Sequence, residues 1–315
     1  MTELKSILEN ITFKDDAKVQ KQLVDQILKV KHRLAQIRHK IFVMSGKGGV
    51  GKSTVTVQLA LALARKTFKV GILDADLNGP SIPHMLGLKD RGWGLGASTL
   101  GSSGAPTGTR NSTRLSEAPI VPELREGAVE GAGGSRTQID PVIGPLGIKV
   151  ASMAFLIKET APVRWKGPMD LTPVWLGMME SSTLREFLGD VAWGDLDFLL
   201  LDLPPGAAAD KPPALYQYMP EMDGALLVTT GSQVAQSVVE RSKQYALDLG
   251  IRVLGVIQNL SNLFGSAAEN EEILGRIPYD PQLATSLDTG TPLPKHHPVS
   301  RLFENIAGKL LKLLP

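Results

Sequence analysis

One eight-residue run could do chemistry on its own: Gly46-Lys47-Gly48-Gly49-Val50-Gly51-Lys52-Ser53. It fits the pattern G-x-x-x-x-G-K-[ST] at every fixed position. Glycines let the backbone curl until successive N–H groups point inward, which makes a nest for an anion. Lys52 brings an ammonium to the β- and γ-phosphates of a nucleotide. The Ser53 hydroxyl is a ligand for Mg2+. Thr54 continues into a segment without a helix breaker, so the positive end of a helix dipole aims at the same place. Residues 46–54 are therefore the expected phosphate site.

Three carboxylates belong with this loop. Asp74 and Asp76 close the run LDAD, and Asp202 closes FLLLD. Parallel strands deliver their carboxyl ends to the ligand crevice, so all three acids are expected near the phosphates. Asp202 is placed to hold a magnesium-bound water. Of the LDAD acids, Asp76 is preferred for orienting an attacking water, and Asp74 is open to a purely local capping or pairing role. Ser53, Asp76 and Asp202 make up the expected Mg2+ set, partly through water. Lys47 is a second lysine inside the loop, which the pattern does not require. It reaches its own nucleotide or crosses a dimer interface to a neighbour's, neutralising charge on the leaving group. After Asp202, Pro204, Pro205 and Gly206 form a stiff turn, and the Gly206 N–H is a candidate sensor of the γ-phosphate.

These residues need a frame to hold them. IFVMS and KVGILDAD read as buried strands with the apolar helix STVTVQLALALARK between them. Such a βαβ unit implies a parallel sheet with right-handed crossovers. Strands and helices then alternate from GIKVASMAFLI through DLTPVWLGMMESSTLREFL, DLDFLLLDLPPG, DGALLVTT, Gln233–Leu249, IRVLGVIQNL and Ile273–Pro278 to a final helix over Val299–Leu314. The predicted class is α/β: one doubly wound, mostly parallel sheet. Residues 1–40 read as a helical N-terminal extension, with Leu23, Ile27, Val30, Leu34 and Ile37 on one stripe. Residues 41–315 read as the domain, interrupted at about 89–146 by a Gly-, Ser- and Thr-rich insertion too poor in apolar side chains to pack.

Composition narrows the partners. The chain has 315 residues, with 34 Lys and Arg against 32 Asp and Glu, for a net charge of +2. No global field holds nucleic acid or acidic lipid, so neither is an expected partner. No apolar run reaches the ~18 residues of a spanning helix, and the first residues resemble no secretory signal. The expected location is the cytosol. There is no cysteine, so the chain has no thiolate with which to hold zinc or an iron–sulfur cluster.

The segments SGKGGVGKST, LDADLNGPSIPHMLGL, WKGPMD, WGDLDFLLLDLPPG, GVIQNLSN and LGRIPYDPQLATSLDTGTPL resemble the Mrp/ApbC family of iron–sulfur cluster carrier ATPases, P-loop NTPases of the MinD/ParA class. The resemblance implies ATP and Mg2+ as cofactors and a homodimer that sandwiches ATP. It implies Lys47 acting in trans, Lys52 on phosphate, Ser53 on Mg2+, Asp76 with the attacking water and Asp202 near the metal. Asn259 matches the position that reads the adenine edge, and Pro278 lies in the loop that packs near the base. Two motifs depart from the family. Its C-x-x-C pair has no counterpart in QNLSNLFGSAAENEEILG, and its DLPPGTGD reads DLPPGAAAD, with Ala207 and Ala208. The cluster site is thus not carried over, and the chain is expected either to act as a nucleotide-dependent scaffold or to work with a cysteine-bearing partner protein. Two other readings stand beside this one: a MinD/ParA-like positioning or adaptor ATPase whose last helix lies on a membrane surface, and an ATP-binding protein with little hydrolysis.

Overall fold

The computed structural model describes residues 17–91, 139–156, 172–206, 215–216, 218–219, 221–263 and 273–315. A helix, α1 (Ala17–Leu34), leads into β1 (Ile37–Met44). Then follow α2 (Lys52–Arg65), β2 (Val70–Asp74) and a short α3 (Ile82–Met85). After these come β3 (Val142–Ile143), β4 (Lys149–Ser152), α4 (Thr172–Asp190), β5 (Leu196–Asp202) and β6 (Gly224–Thr230). The chain ends with α5 (Gln233–Asp248), β7 (Val253–Asn259), β8 (Ile273–Ile277), α6 (Pro281–Thr289) and α7 (Pro298–Leu313).

The eight strands form one sheet in the order β3-β4-β2-β5-β1-β6-β7-β8. Every pairing is parallel except β3 with β4. The central strands are apolar on both faces because both faces are covered. One face packs α2 and α7, and the other packs α1 and α4 in a second core cluster. In α2 every residue from Val55 to Leu63 is buried. This explains a helix apolar almost all round: the sheet covers one side and α7 another. The doubly wound α/β class expected from the sequence is the fold found.

Several boundaries differ from expectation. β1 begins at Ile37 rather than Ile41, so the helical extension over 1–40 gives way to the sheet four residues early. Ile37 keeps its burial but serves as a strand residue beside α1's Ile27, Val30 and Leu34. The insertion also ends sooner than 146. Ile139 bridges Val191, and β3 adds an antiparallel edge. Apolar residues Ile139, Val142 and Ile148 anchor that segment, while 92–138 lie outside the described residues. The α6 helix was not anticipated. Its signals are local: Asp280 caps it by accepting from the N–H groups of Gln282 and Leu283, Pro281 starts it and Gly290 ends it. Gly290 (φ +66°) meets Gly87 (φ +68°) back to back, and a Cβ on Gly290 would sit 2.3 Å from the Gly87 Cα. The final helix buries Val299, Phe303, Ile306 and Leu310 against α2 and β8, so its apolar face is already covered. No helix among the described residues is long and apolar enough to cross a membrane.

Candidate nucleotide site

Three neighbouring parallel strands end together. Val43 of β1 is in register with Asp202 of β5, and Asp202 is in register with Asp74 of β2. The glycine-rich loop leaves β1 at Ser45 and enters α2 at Lys52. Two of its residues have left-handed backbone, Gly49 at φ +76° and Gly51 at φ +81°. Gly49 borders open space: a Cβ there would meet nothing within 4 Å. Gly51 is tightly held, since its Cβ would fall 2.2 Å from Asn259 Nδ2. That amide donates to the Val50 carbonyl at 2.9 Å. Asn259, buried at the end of β7, thus props the loop from behind. Gly46 lies against α5, where a Cβ would strike Val238 Cγ1 at 2.0 Å. Gly48 faces Pro205. Thr54 is half-buried in the first turn of α2.

Beneath the loop sits a buried polar cluster. The Asp202 carboxylate is fully buried. It accepts from the Ser53 hydroxyl at 2.6 Å and from the Thr56 hydroxyl at 2.6 Å. Lys52 Nζ lies 2.7 Å from Asp202 Oδ2, an ion-pair distance. It is not aligned for a hydrogen bond, and no other acceptor takes it. Buried charges persist when paired, so this carboxylate survives through one cation and two hydroxyls. Asp74, also buried, accepts from Ile82 N at 3.3 Å and Ser152 Oγ at 3.1 Å, while its Oδ1 has no hydrogen-bond partner. Burial first, and Asp202 second, push the Asp74 carboxyl up to about 8, against a smaller opposite effect of Lys52. A neutral Asp74 is what lets two acids share one end of the sheet.

This has a consequence for stability without nucleotide. Between roughly pH 4 and pH 8 the unfolded chain ionises Asp74 while the folded chain keeps it protonated, so its contribution to stability falls as pH rises and levels off above the folded pKa. Asp74→Asn removes that slope while keeping an acceptor for Ile82 N and Ser152. Urea unfolding of the nucleotide-free protein is expected to favour the variant by roughly 1–3 kcal/mol more at pH 7.5 than at pH 5.5. An equal difference at both values refutes the assignment.

The other expected residues are placed less compactly. Asp76 is half-buried beyond β2, with Oδ1 accepting from Gly79 N at 3.2 Å. Among the described residues no three His, Asp or Glu side chains gather as a metal-binding group, so Asp76 does not join Asp74 and Asp202 in one. Lys47 is half-buried in the loop. Pro278 directly follows β8, next to Tyr279, whose N–H donates to Asn262 Oδ1 at 2.6 Å. The Gly206 N–H, expected to sense phosphate, donates instead to the Ser45 carbonyl at 3.0 Å. The β1 exit and the Pro204–Gly206 turn are thereby stitched together. Ala207, Ala208 and the 264–272 segment lie outside the described residues. Two members escaped the sequence reading. Thr56 sits one turn after Ser53, a spacing that puts both hydroxyls on one helix face. Ser152 ends β4 in register with Asp74, and only the strand order reveals it.

The donor set fits a nucleotide polyphosphate. The glycine-lined loop is open outward at Gly49, the Lys52 ammonium lacks an aligned acceptor, and the buried Ser45 hydroxyl has no partner. The sequence model of the family described as ParA, NUBPL iron-transfer P-loop NTPase, matches residues 36–311. The chain belongs to this family. Curated relatives match it over most of its length. An iron-sulfur cluster carrier protein of Saccharolobus solfataricus is 35% identical, covering 96% of this chain and 92% of the relative. The cytosolic Fe-S cluster assembly factor NUBP2 of Rattus norvegicus is 33% identical, covering 90% of this chain and 95% of the relative. Among solved structures, a nucleotide-binding protein of Archaeoglobus fulgidus in complex with ADP is 31% identical, with a TM-score of 0.57, covering 86% of this chain and 99% of that one. The cell division ATPase MinD of Pyrococcus furiosus, 21% identical with a TM-score of 0.54 over 87% and 99% of the two chains, shares the fold.

Proposed function

We propose that this chain is a Mg2+-dependent ATPase that works as a face-to-face homodimer in iron–sulfur cluster transfer, with the cluster's thiolates coming from a cysteine-bearing partner. One observation carries the ATPase reading: the buried Lys52 ammonium rests on Asp202 without an aligned hydrogen bond, directly beneath an open glycine loop. An ammonium held this way is ready to exchange its carboxylate for a phosphate oxygen. The chain's membership among iron-transfer NTPases and its relatives named as cluster carriers support the cargo. The relatives named as cytosolic factors support a cytosolic place. The absence of cysteine from all 315 residues supports a partner as the source of thiolates.

In this reading the N–H groups of residues 46–54 cradle the phosphates, and Lys52 turns from Asp202 onto them. Ser53, Asp202 and Asp76 would hold Mg2+, partly through water, and the ion would supply neutralising charge to the phosphate oxygens. Asp76 orients the attacking water. Lys47 stabilises the leaving diphosphate of the opposite protomer. Asn259 and Pro278 take the adenine end.

Phosphate release with and without Mg2+, light scattering under ADP and ATP, and anaerobic reconstitution with iron and sulfide test these parts separately. Expected are Mg2+-dependent turnover, a doubled mass only with ATP, and no stoichiometric iron on the lone chain. Lys47→Ala is expected to lower kcat by about 100-fold or more while ATP binding persists. Full turnover by a monomer removes the dimer. Stoichiometric iron on the lone chain removes the partner.

A further inference from the structure

Helix α4 is tied to one arm of the candidate site and to the segment that leads into β6. The first tie comes from the loop after β2. Ala75 and Leu77 are fully buried there and anchor the loop on either side of Asp76. At its tip Asn78 Nδ2 donates to Glu180 Oε1 of α4 at 2.7 Å. Glu180 is only 7% exposed. The second tie lies five residues along the helix. Arg185 Nη1 donates to the Tyr218 hydroxyl at 3.2 Å, and the guanidinium stands 5.8 Å from the centre of the Tyr218 ring. Tyr218 lies shortly before β6. On its outer side α4 carries α1, through the Lys29–Asp190 ion pair and the close seating of Val30 on Gly189.

Packing alone does not call for these charges. The inward residues Leu184, Phe187 and Leu188 of α4 are apolar and buried. A carboxylate among them costs free energy unless it is hydrogen-bonded, so an apolar residue at 180 would serve the core better. The charge makes sense as a directional contact. A hydrogen bond is lost over a displacement of about 1 Å, so the Asn78–Glu180 tie registers small movements of the Asp76 loop.

We propose that α4 is a transmission element: Asn78–Glu180 positions the Asp76 loop, Arg185–Tyr218 fixes the helix against the segment before β6, and the state of that loop reaches α1 as a nucleotide-dependent change. Asn78 and Glu180 are positioning residues that act through Asp76, so the inference rests on the role proposed for that acid.

The test exchanges the two groups. Asn78→Asp places a second carboxylate against Glu180 and is expected to lower kcat at least about 10-fold, with KM for ATP within about 3-fold because the phosphate loop is untouched. Adding Glu180→Gln restores an amide–carboxylate bond of reversed polarity and is expected to return kcat to within about 3-fold of the parent. Glu180→Gln alone keeps an acceptor and stays near the parent, whereas Glu180→Leu behaves like Asn78→Asp. The second readout is backbone amide exchange over residues 24–34 and 180–190, with and without ATP. The parent and the exchanged pair are expected to show an ATP-dependent change there, and Asn78→Asp none. The inference is overturned if the exchanged pair is no better than Asn78→Asp in both readouts, or if ATP leaves both segments unchanged in the parent. Lys52→Ala serves as the separate control. If it turns over ATP like the parent, the ATPase reading itself fails; if it is inert while the Asn78 variants match the parent, only the transmission role fails.

Discussion

Lys52→Ala is expected to abolish turnover and, separately, to weaken the fold. The ammonium is 6% exposed and 2.7 Å from a fully buried carboxylate. Removing one partner of a buried pair leaves the other uncompensated, at a cost of about 3–5 kcal/mol. The Ser53 and Thr56 hydroxyls still donate to Asp202, so the lower end of that range is expected in urea unfolding. Catalytically the loss is at least about 100-fold, the scale of a single preorganised charge aimed at a reacting phosphoryl group. Adding Asp202→Asn separates the two effects. The neutral amide no longer needs a cation, so stability recovers by more than half while turnover stays absent. A double variant as unstable as Lys52→Ala would mean that the pair is not what holds this region together.

Gly51→Ala is the second large effect. Its φ of +81° costs a residue with a side chain about 1–2 kcal/mol. The added Cβ also lands 2.2 Å from Asn259 Nδ2, displacing the amide that donates to Val50 O. Losing that buried hydrogen bond adds about 1–3 kcal/mol. The expected total is about 2–5 kcal/mol of stability, with ATP affinity reduced at least about 100-fold because the nest loses its shape. In an Asn259→Ala background the collision disappears but the φ strain stays. Gly51→Ala should then cost only about 1–2 kcal/mol. Equal costs in both backgrounds, measured by urea unfolding, would remove Asn259 as the prop of the loop.

Much of the site was legible because it is local. The residues from Gly46 to Ser53 are contiguous, and their types impose one backbone shape and one charge. Asp74, Asp76 and Asp202 stood out because each closes an apolar run, and parallel strands present those ends on one edge. The alternation of strand and helix made the doubly wound sheet readable for the same reason: period and run length are properties of a short window. The α6 helix shows that such local signals can also be overlooked, since Asp280, Pro281 and Gly290 mark its two ends within ten residues.

What the linear chain determined, then, was the nature of the chemistry: an anion nest, a cation, a hydroxyl and acids, on strands of one direction, with no thiol anywhere in 315 residues. Tertiary structure decided which groups meet. Asp202 finds Thr56 146 positions away, Asp74 finds Ser152 across 78, Asn259 reaches Val50 across 209, and Asn78 reaches Glu180 across 102. It also separated two acids that look equivalent in LDAD, burying Asp74 as a neutral brace and leaving Asp76 partly open. Residue type sets what a side chain can donate or accept, but burial and partnership depend on strand order, and strand order is settled by the packing of the whole sheet.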